Sequence, residues 1–348
     1  FPRIEKRMIE ISREKHLFKL KSISKKEALD FYKNHKNEYK IELIENLEDG
    51  TISFCNHDNF TDLCRGGHLP NTGFIKAVKL LSVAGAYWRA DQSKTQLTRV
   101  YGISFPKQKE LNEYLELIEE AKKRDHRKLG KQLELFTFSN KVGQGLPLWL
   151  PKGAELRERL EAFLKKAQKK AGYQQVISPH IGNKELYETS GHYQKYGENS
   201  FKPITTPAEG EEFLLKPMNC PFHILIYKNS LKSYRELPIR YAELGTVYRH
   251  EMTGALHGLM RVRGFTQDDA HVFCMEDQIE NEITSILNLT IDMLNAFTFK
   301  EYEIHLATKP EKSVGSNSIW EKATSALENA LKGKNLDYKL DDGGGAFY

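Results

Sequence analysis

The chain has 348 residues, 28% of them charged and 39% hydrophobic, and a formal net charge of +5. That length admits two domains with their own cores, and no run approaches the ~18 apolar residues of a membrane span. Four cysteines (Cys55, Cys64, Cys220, Cys274) are too few and too scattered for a disulfide framework. Without a signal-peptide core in the first residues, the expected setting is a reducing cytoplasm. The charge is mixed along the chain, so it is compatible with a polyanionic partner without pointing to one. The sequence starts at Phe1 rather than Met, which suggests residues ahead of it.

In chain order, residues 38–69 alternate Tyr39, Ile41 and Leu43, turn at Glu48-Asp49-Gly50, then place Ile52 and Phe54. The pattern predicts a small α+β region with a hairpin. From Lys107 to Lys131, Leu111, Tyr114, Leu115, Ile118 and Ala121 recur at helical spacing and run into Lys122-Lys123-Arg124. This predicts a charged linker helix over 107–130, between a domain at 1–106 and another at 131–348. A helix is expected from Ala154 to Ala171, with Leu156, Leu160, Phe163, Leu164 and Ala167 on one face and Gly172 as its stop. Gln174 to Ser178 reads as a strand leading into Pro179. A further helix spans Gln278 to Phe297 on a stripe of Ile279, Ile283, Ile286 and Leu287, and Tyr302, Ile304 and Leu306 alternate as a strand.

Between those helices, residues 239–273 suggest two strands around a loop. The first ends in Arg249-His250-Glu251, and Arg261-Val262-Arg263-Gly264-Phe265 opens the second. Guanidinium forks match phosphate oxygens, and a phenyl face can stack on a base. An Arg-x-Glu by itself is more often a solvated surface pair. The whole string, however, closely resembles motif 2 of class II aminoacyl-tRNA synthetases, and within them the threonyl enzymes. The resemblance implies that Arg249 holds the ATP α-phosphate, Glu251 the adenine edge and Arg261 the terminal phosphates. Phe265 would stack on adenine, and the loop 252–259 would face the tRNA acceptor end.

Other stretches agree. Val176-Ile177-Ser178-Pro179 resembles motif 1, whose helix and strand form a homodimer interface in that class. Lys216-Pro217-Met218-Asn219-Cys220-Pro221 resembles the segment that presents a zinc ligand in threonyl enzymes. Gly345-Ala346-Phe347-Tyr348 resembles a strand lining the amino-acid pocket. The implied fold is α+β: an antiparallel sheet flanked by helices, preceded by a partial α+β editing domain. A Gly-x-Gly-x-x-Gly is absent, and Gly343-Gly344-Gly345 does not replace it. The implied activity is threonine–tRNA ligation, with ATP, threonine and tRNA(Thr) as partners, Mg²⁺ accompanying the ATP, and no membrane.

Cys220 and His271 lie 51 residues apart, outside compact zinc-site spacings. Read from spacing alone, they are a buried thiol and a core or surface histidine. The resemblance makes them ligands of one Zn²⁺ per subunit, with the third protein ligand outside this chain. Asp269 then accepts the substrate hydroxyl, and Met218, Gln267 and Tyr348 form further pocket walls. A metal that demands a hydroxyl ligand rejects valine, which a hydrophobic pocket separates from threonine by only about 100-fold. Serine has the hydroxyl and passes this filter.

Near the start, Cys55-x-His57 and Cys64-x-x-x-His68 could be read as four zinc ligands, although the first pair is tight for a structural site. They could equally be thiols and imidazoles of a polar loop. Asp62-Leu63-Cys64-Arg65-Gly66-Gly67-His68 also resembles half of the site with which threonyl and alanyl synthetases hydrolyse mischarged seryl-tRNA. The partner His-x-x-x-His of that site is absent, so Asp62, Cys64 and His68 are expected to be a remnant. Two departures stand out: Gly67 where Pro is frequent, and Phe222 where Gly is frequent. Motif 3, the third zinc ligand and an anticodon-binding domain are expected beyond Tyr348, which makes the chain a fragment lacking both ends. The competing reading is a non-catalytic, synthetase-like paralogue kept for dimerisation or tRNA binding.

Overall fold

The computed structural model describes residues 1–91 and 93–347. The chain folds as two units, Phe1–Asp125 and the residues from His126 onward.

The first unit begins with α1 (Pro2–Glu14), β1 (Lys19–Ser22), α2 (Lys25–Asn34), α3 (Glu38–Glu45), β2 (Ser53–His57) and β3 (Phe60–Cys64). The strands make an antiparallel sheet in the order β1-β2-β3. Side chains alternate across a strand, so Phe54 and its partner Leu63 share a face. That face packs on α2 and α3 through Ala28, Tyr32, Ile44 and Ile52. Cys55, Asp62 and Cys64 belong to the other face. The alternation at Tyr39, Ile41 and Leu43 is α3 and not a strand. Asn37 caps it by accepting from the Lys40 amide at 3.1 Å, and Ile41, Ile44 and Leu47, three residues apart, turn to the core. The hairpin lies downstream, at β2–β3. Next, β4 (Ala77–Tyr87) and β5 (Gln96–Phe105) form a long antiparallel ribbon. α4 (Gln108–Lys123) lies beside it, with the Tyr114 ring 5.4 Å from Phe105.

The residues read as one linker helix form two: α4 stops at Lys123, and α5 (His126–Gln132) opens the second unit. After it come β6 (Phe136–Thr137), β7 (Leu148–Trp149), α6 (Pro151–Lys170) and β8 (Gln174–Gln175). A small sheet ordered β10-β11-β9 is built from β9 (Ile181–Asn183), β10 (Ile204–Thr205) and β11 (Glu212–Leu215), with α7 (Lys184–Thr189) and α8 (His192–Tyr196) between its strands. Then α9 (Cys220–Lys228) leads to the two long strands, β12 (Ile239–Tyr248) and β13 (Gly264–Phe273). These pair antiparallel from Ile239↔Phe273 to Tyr248↔Gly264, and β8 joins β12 in parallel. The unit continues with α10 (Ile279–Ala296), β14 (His305–Ala307), α11 (Asn317–Gly333) and β15 (Lys339–Asp341), β14 and β15 pairing in parallel.

Arg240 of β12 forks onto Glu282 of α10 at 2.6 and 2.5 Å. α6 forms where the spacing predicts it, but its apolar stripe is not covered: Leu156, Leu160 and Phe163 are 46%, 38% and 40% exposed. Ile177, just beyond β8, is 92% exposed. Among the described residues no helix is long and apolar enough to cross a membrane.

Candidate functional site

The register of β12 and β13 builds the site. Tyr241 faces His271, Glu243 faces Asp269, Gly245 faces Gln267 and Val247 faces Phe265. Because strand side chains alternate, Phe265, Gln267, Asp269 and His271 share one face of the ribbon. The start of α9 lies against that face. Asn219 donates from Nδ2 to Asp269 Oδ2 at 2.9 Å. A Cβ on Gly245 would sit 2.5 Å from the Asn219 side chain, so the close approach of α9 to the sheet requires glycine there. Cys220 is the first residue of α9 and is buried, and His223 follows one turn later on the same helix face.

From this face a buried polar chain runs inward under α9. The His271 and His223 Nδ1 atoms are 2.8 Å apart, and His223 Nε2 is 2.9 Å from Glu243 Oε2. The Ser178 amide donates to Glu243 Oε1 at 2.8 Å, and its hydroxyl to Oε2 at 2.8 Å. Lys216 Nζ donates to Ser178 Oγ at 2.7 Å and lies 3.5 Å from Glu243. Burial pushes the Glu243 carboxyl up, but the donors His223 and Ser178, with the Lys216 charge, outweigh it and hold it at about 2. Burial pushes Lys216 down against the pull of Glu243. Burial also lowers His271, with His223 adding to the effect and Asp269 opposing it. Glu243, Ser178, Lys216, His223 and Asn219 carry no local sequence signal as a group, since they come from three separate segments. Of these, only His223 falls outside the stretches singled out from the sequence.

Arg249, at the exit of β12, lies between the rings of Tyr196 and Phe265, each centroid 5.3 Å from the guanidinium carbon. It donates to the Pro217 carbonyl at 3.3 Å and to the Met218 sulfur at 2.9 Å, tying it to the loop before α9. Tyr196 lies outside every motif read from the sequence. Glu251 is bound by Arg261 at 3.0 Å, and its carbonyl accepts from Arg263 at 2.9 Å, so the motif's acidic residue and its outer arginine are brought together. Tyr348, an expected pocket wall, lies outside the described residues. Phe222 packs into a core with Tyr187 and Leu214, and Gly182 leaves room for its ring, where a Cβ would sit 2.8 Å away. The opposite face of the ribbon borders a cavity of about 570 Å³ lined by Leu244, Thr246, Thr266 and Asp268 with Leu160 and Leu164 of α6.

The residues fit a zinc ion. A thiol and an imidazole are the donors zinc prefers, and with Nδ1 of His271 engaged by His223, Nε2 is its remaining donor atom. Asn219 Oδ1 and Gln267 Oε1 are buried and unpartnered among the described residues, which leaves acceptors for a ligand's N–H or O–H groups.

In the first unit, the ligand atoms of Cys55, Cys64 and His68 lie within 4.8 Å of one another. His57 is outside this cluster. It meets Phe18 edge-on at 5.1 Å, while His68 stacks on the same ring at 5.4 Å. The four-ligand reading of Cys55, His57, Cys64 and His68 therefore becomes three, because His57 pairs with Phe60 at the turn of the hairpin while Cys64 pairs with Ser53 at its open end. Burial, reinforced by Cys64, raises the Cys55 thiol. Asp62 is held by Lys40 Nζ at 2.9 Å and by the Tyr32 hydroxyl at 2.7 Å. Burial raises its carboxyl, but these two partners outweigh it and the net shift is downward. Lys40 and Tyr32, on helices distant in sequence from Asp62, gave no motif to find them by.

Comparison with known proteins agrees with this division. The description "tRNA synthetase class II core domain (G, H, P, S and T)" matches residues 202–340, and "Threonyl and Alanyl tRNA synthetase second additional domain" matches residues 52–101. A threonine–tRNA ligase of Flavobacterium psychrophilum is 62% identical over all of this chain and 54% of its own length. One from Porphyromonas gingivalis is 58% identical, over all of this chain and 54% of that protein. The chain thus spans about half the length of the curated relatives it matches. A crystal structure of the RNA binding domain of threonyl-tRNA synthetase from Cryptosporidium parvum superposes with a TM-score of 0.60 at 42% identity, covering 65% of this chain and 55% of that one.

Proposed function

The chain belongs to the threonyl-tRNA synthetase family, and from that premise we propose that it supplies the threonine-activating face of a threonine–tRNA ligase. The observation that supports this reading is the β12–β13 register, which sets Gln267, Asp269 and His271 on one face beside Asn219 and Cys220. Cys220 and His271 would hold a zinc ion that, when bound, offers open positions to the substrate's amino and hydroxyl groups. Asp269, steadied by Asn219, accepts a hydrogen bond from the substrate hydroxyl, and Gln267 and Met218 wall the pocket. The substrate carboxylate attacks the ATP α-phosphate in line, forming the acyl–phosphate bond as the bond from the α-phosphorus to the bridging oxygen breaks and pyrophosphate leaves. No protein nucleophile is needed, and the residues' work is positioning and charge neutralisation.

Arg249 is the α-phosphate residue in this reading. Phe265 and Tyr196, which flank it, offer faces for the adenine ring. Arg261 would leave Glu251 to reach the terminal phosphates, freeing Glu251 for the adenine amine. Mg²⁺ accompanies the nucleotide as a hard cation suited to phosphate oxygens. The uncovered stripe of α6 with Ile177 is the homodimer surface. The first unit, with Asp62, Cys64, His68 and Lys40, contributes half of a site for hydrolysing seryl-tRNA in a cytoplasmic protein, the other half being supplied by residues outside this chain.

Threonine-dependent ATP–pyrophosphate exchange by the full-length protein tests the reading. Exchange should be strong with threonine, weaker with serine and near background with valine, and Cys220→Ser should remove bound zinc and exchange together. Equal exchange with valine and threonine, or full zinc in Cys220→Ser, would sink it.

A further inference from the structure

His223 is not among the residues that the reading above places at the substrate, yet it is wholly buried between two of the site's elements, α9 and the β12–β13 ribbon. It sits three residues after Cys220, so one face of α9 carries both the thiol and this imidazole. Its two ring nitrogens are both engaged, Nε2 with Glu243 at 2.9 Å and Nδ1 with His271 Nδ1 at 2.8 Å. The proton positions along this chain follow from its far end.

An ionised carboxylate can only accept, so His223 Nε2 must carry the proton that it donates to Glu243. The single negative charge of Glu243 already has the Lys216 ammonium 3.5 Å away, and both side chains are buried. A second cation there would be an uncompensated buried charge. One proton per contact satisfies the chain, so with Nε2 donating to Glu243 the Nδ1 of His223 is the acceptor. The short Nδ1–Nδ1 contact then needs its proton on His271 Nδ1, which leaves His271 Nε2 as a lone pair.

We propose that His223 is a positioning residue for the metal: relayed from Lys216, Ser178 and Glu243, it fixes His271 in the one tautomer that offers Nε2 as a ligand. The inference rests on the reading of Cys220 and His271 as zinc ligands. It adds that α9 delivers both a ligand and the group that orients the other ligand. It also connects the metal to Ser178, whose neighbour Ile177 is almost fully exposed.

The test combines a direct measurement with variants. In full-length, zinc-loaded protein labelled with ¹⁵N-histidine, two-bond proton–nitrogen spectra should show His271 protonated at Nδ1 and His223 protonated at Nε2. His223→Leu, which removes the acceptor, should weaken zinc binding about 10- to 100-fold in competition with a chelator. His223→Asn, whose side-chain carbonyl can still accept from His271, should recover most of that loss. A His271 protonated at Nε2, undiminished affinity in His223→Leu, or an Asn variant no better than Leu would overturn the proposal. Should the Leu variant fail to fold, the tautomer measured in the unmutated protein decides the question. Wild-type protein holding no more zinc than Cys220→Ser would instead bring down the metal reading itself, and this proposal with it.

Discussion

Histidines find their partners by opposite routes in the two units. In the second unit, Cys220 heads a helix whose wholly buried His223 touches the partly buried His271, 48 residues further along the chain. The partners are brought in by sheet register, and every member of the chain from Lys216 to His271 has its hydrogen bond. In the first unit, Cys64 and His68 are four residues apart, next to the hairpin strand β3, and His68 is exposed. The compact spacing gives an open cluster, and the distant one gives a hydrogen-bonded relay whose Lys216, Glu243 and His223 are buried. Sequence proximity brings donors near one another, but only packing against other elements fixes their protonation and excludes water.

Four changes sharpen or break that contrast. The largest effect is expected from Glu243→Gln, because it leaves the Lys216 charge buried without its partner. Stability of the second unit to urea should fall by about 3–5 kcal/mol. The same residue sets an acid limit. Its carboxyl sits at about 2, below the ordinary 4.5, so it stabilises the fold by about 3 kcal/mol above pH 4.5, and this is lost as pH falls toward 2. Denaturation midpoints that do not move between pH 6 and 3 would contradict it. Next comes Arg249→Ala, expected to reduce threonine-dependent pyrophosphate exchange by at least about 100-fold while leaving the melting temperature near that of the unmutated protein.

In the first unit the effects should be smaller. Tyr32→Phe removes the hydroxyl that donates to Asp62 and accepts from the Leu63 amide, at 2.7 and 2.8 Å. A loss of about 1–2 kcal/mol is expected, read by denaturation of that unit. Cys64→Ser should cost under about 1 kcal/mol and leave pyrophosphate exchange intact, since Cys64 belongs to the other unit. A matching loss of exchange in Cys64→Ser would mean that the two sites do not act separately.

Much of the site was legible before any coordinates. Phe265, Gln267, Asp269 and His271 are spaced by two, and a strand of that sequence must set them on one face. The helical spacing of Leu156, Leu160 and Phe163 fixes α6, but periodicity cannot say what covers a stripe, and here Phe297 meets Phe163 edge-on while Leu156, Leu160 and Phe163 all stay partly exposed. Tyr39, Ile41 and Leu43 misled because they overlap the helical stripe of Ile41, Ile44 and Leu47, whose spacing of three is the one that meets the core. The cap at Asn37 and the burial of Ile44 decided for a helix.

What the sequence by itself determined is the family, the two long strands and the residue types that can meet phosphate, adenine and a metal. What only the tertiary structure decided is which of them are held, and by what. Glu243, Ser178 and Lys216 are ordinary polar residues in isolation. They became a buried relay because β12, the segment after β8 and the segment before α9 converge on a point where no water is left to solvate them. Hydrogen-bond satisfaction in a desolvated core depends on elements far apart in sequence, so no local pattern could have announced it.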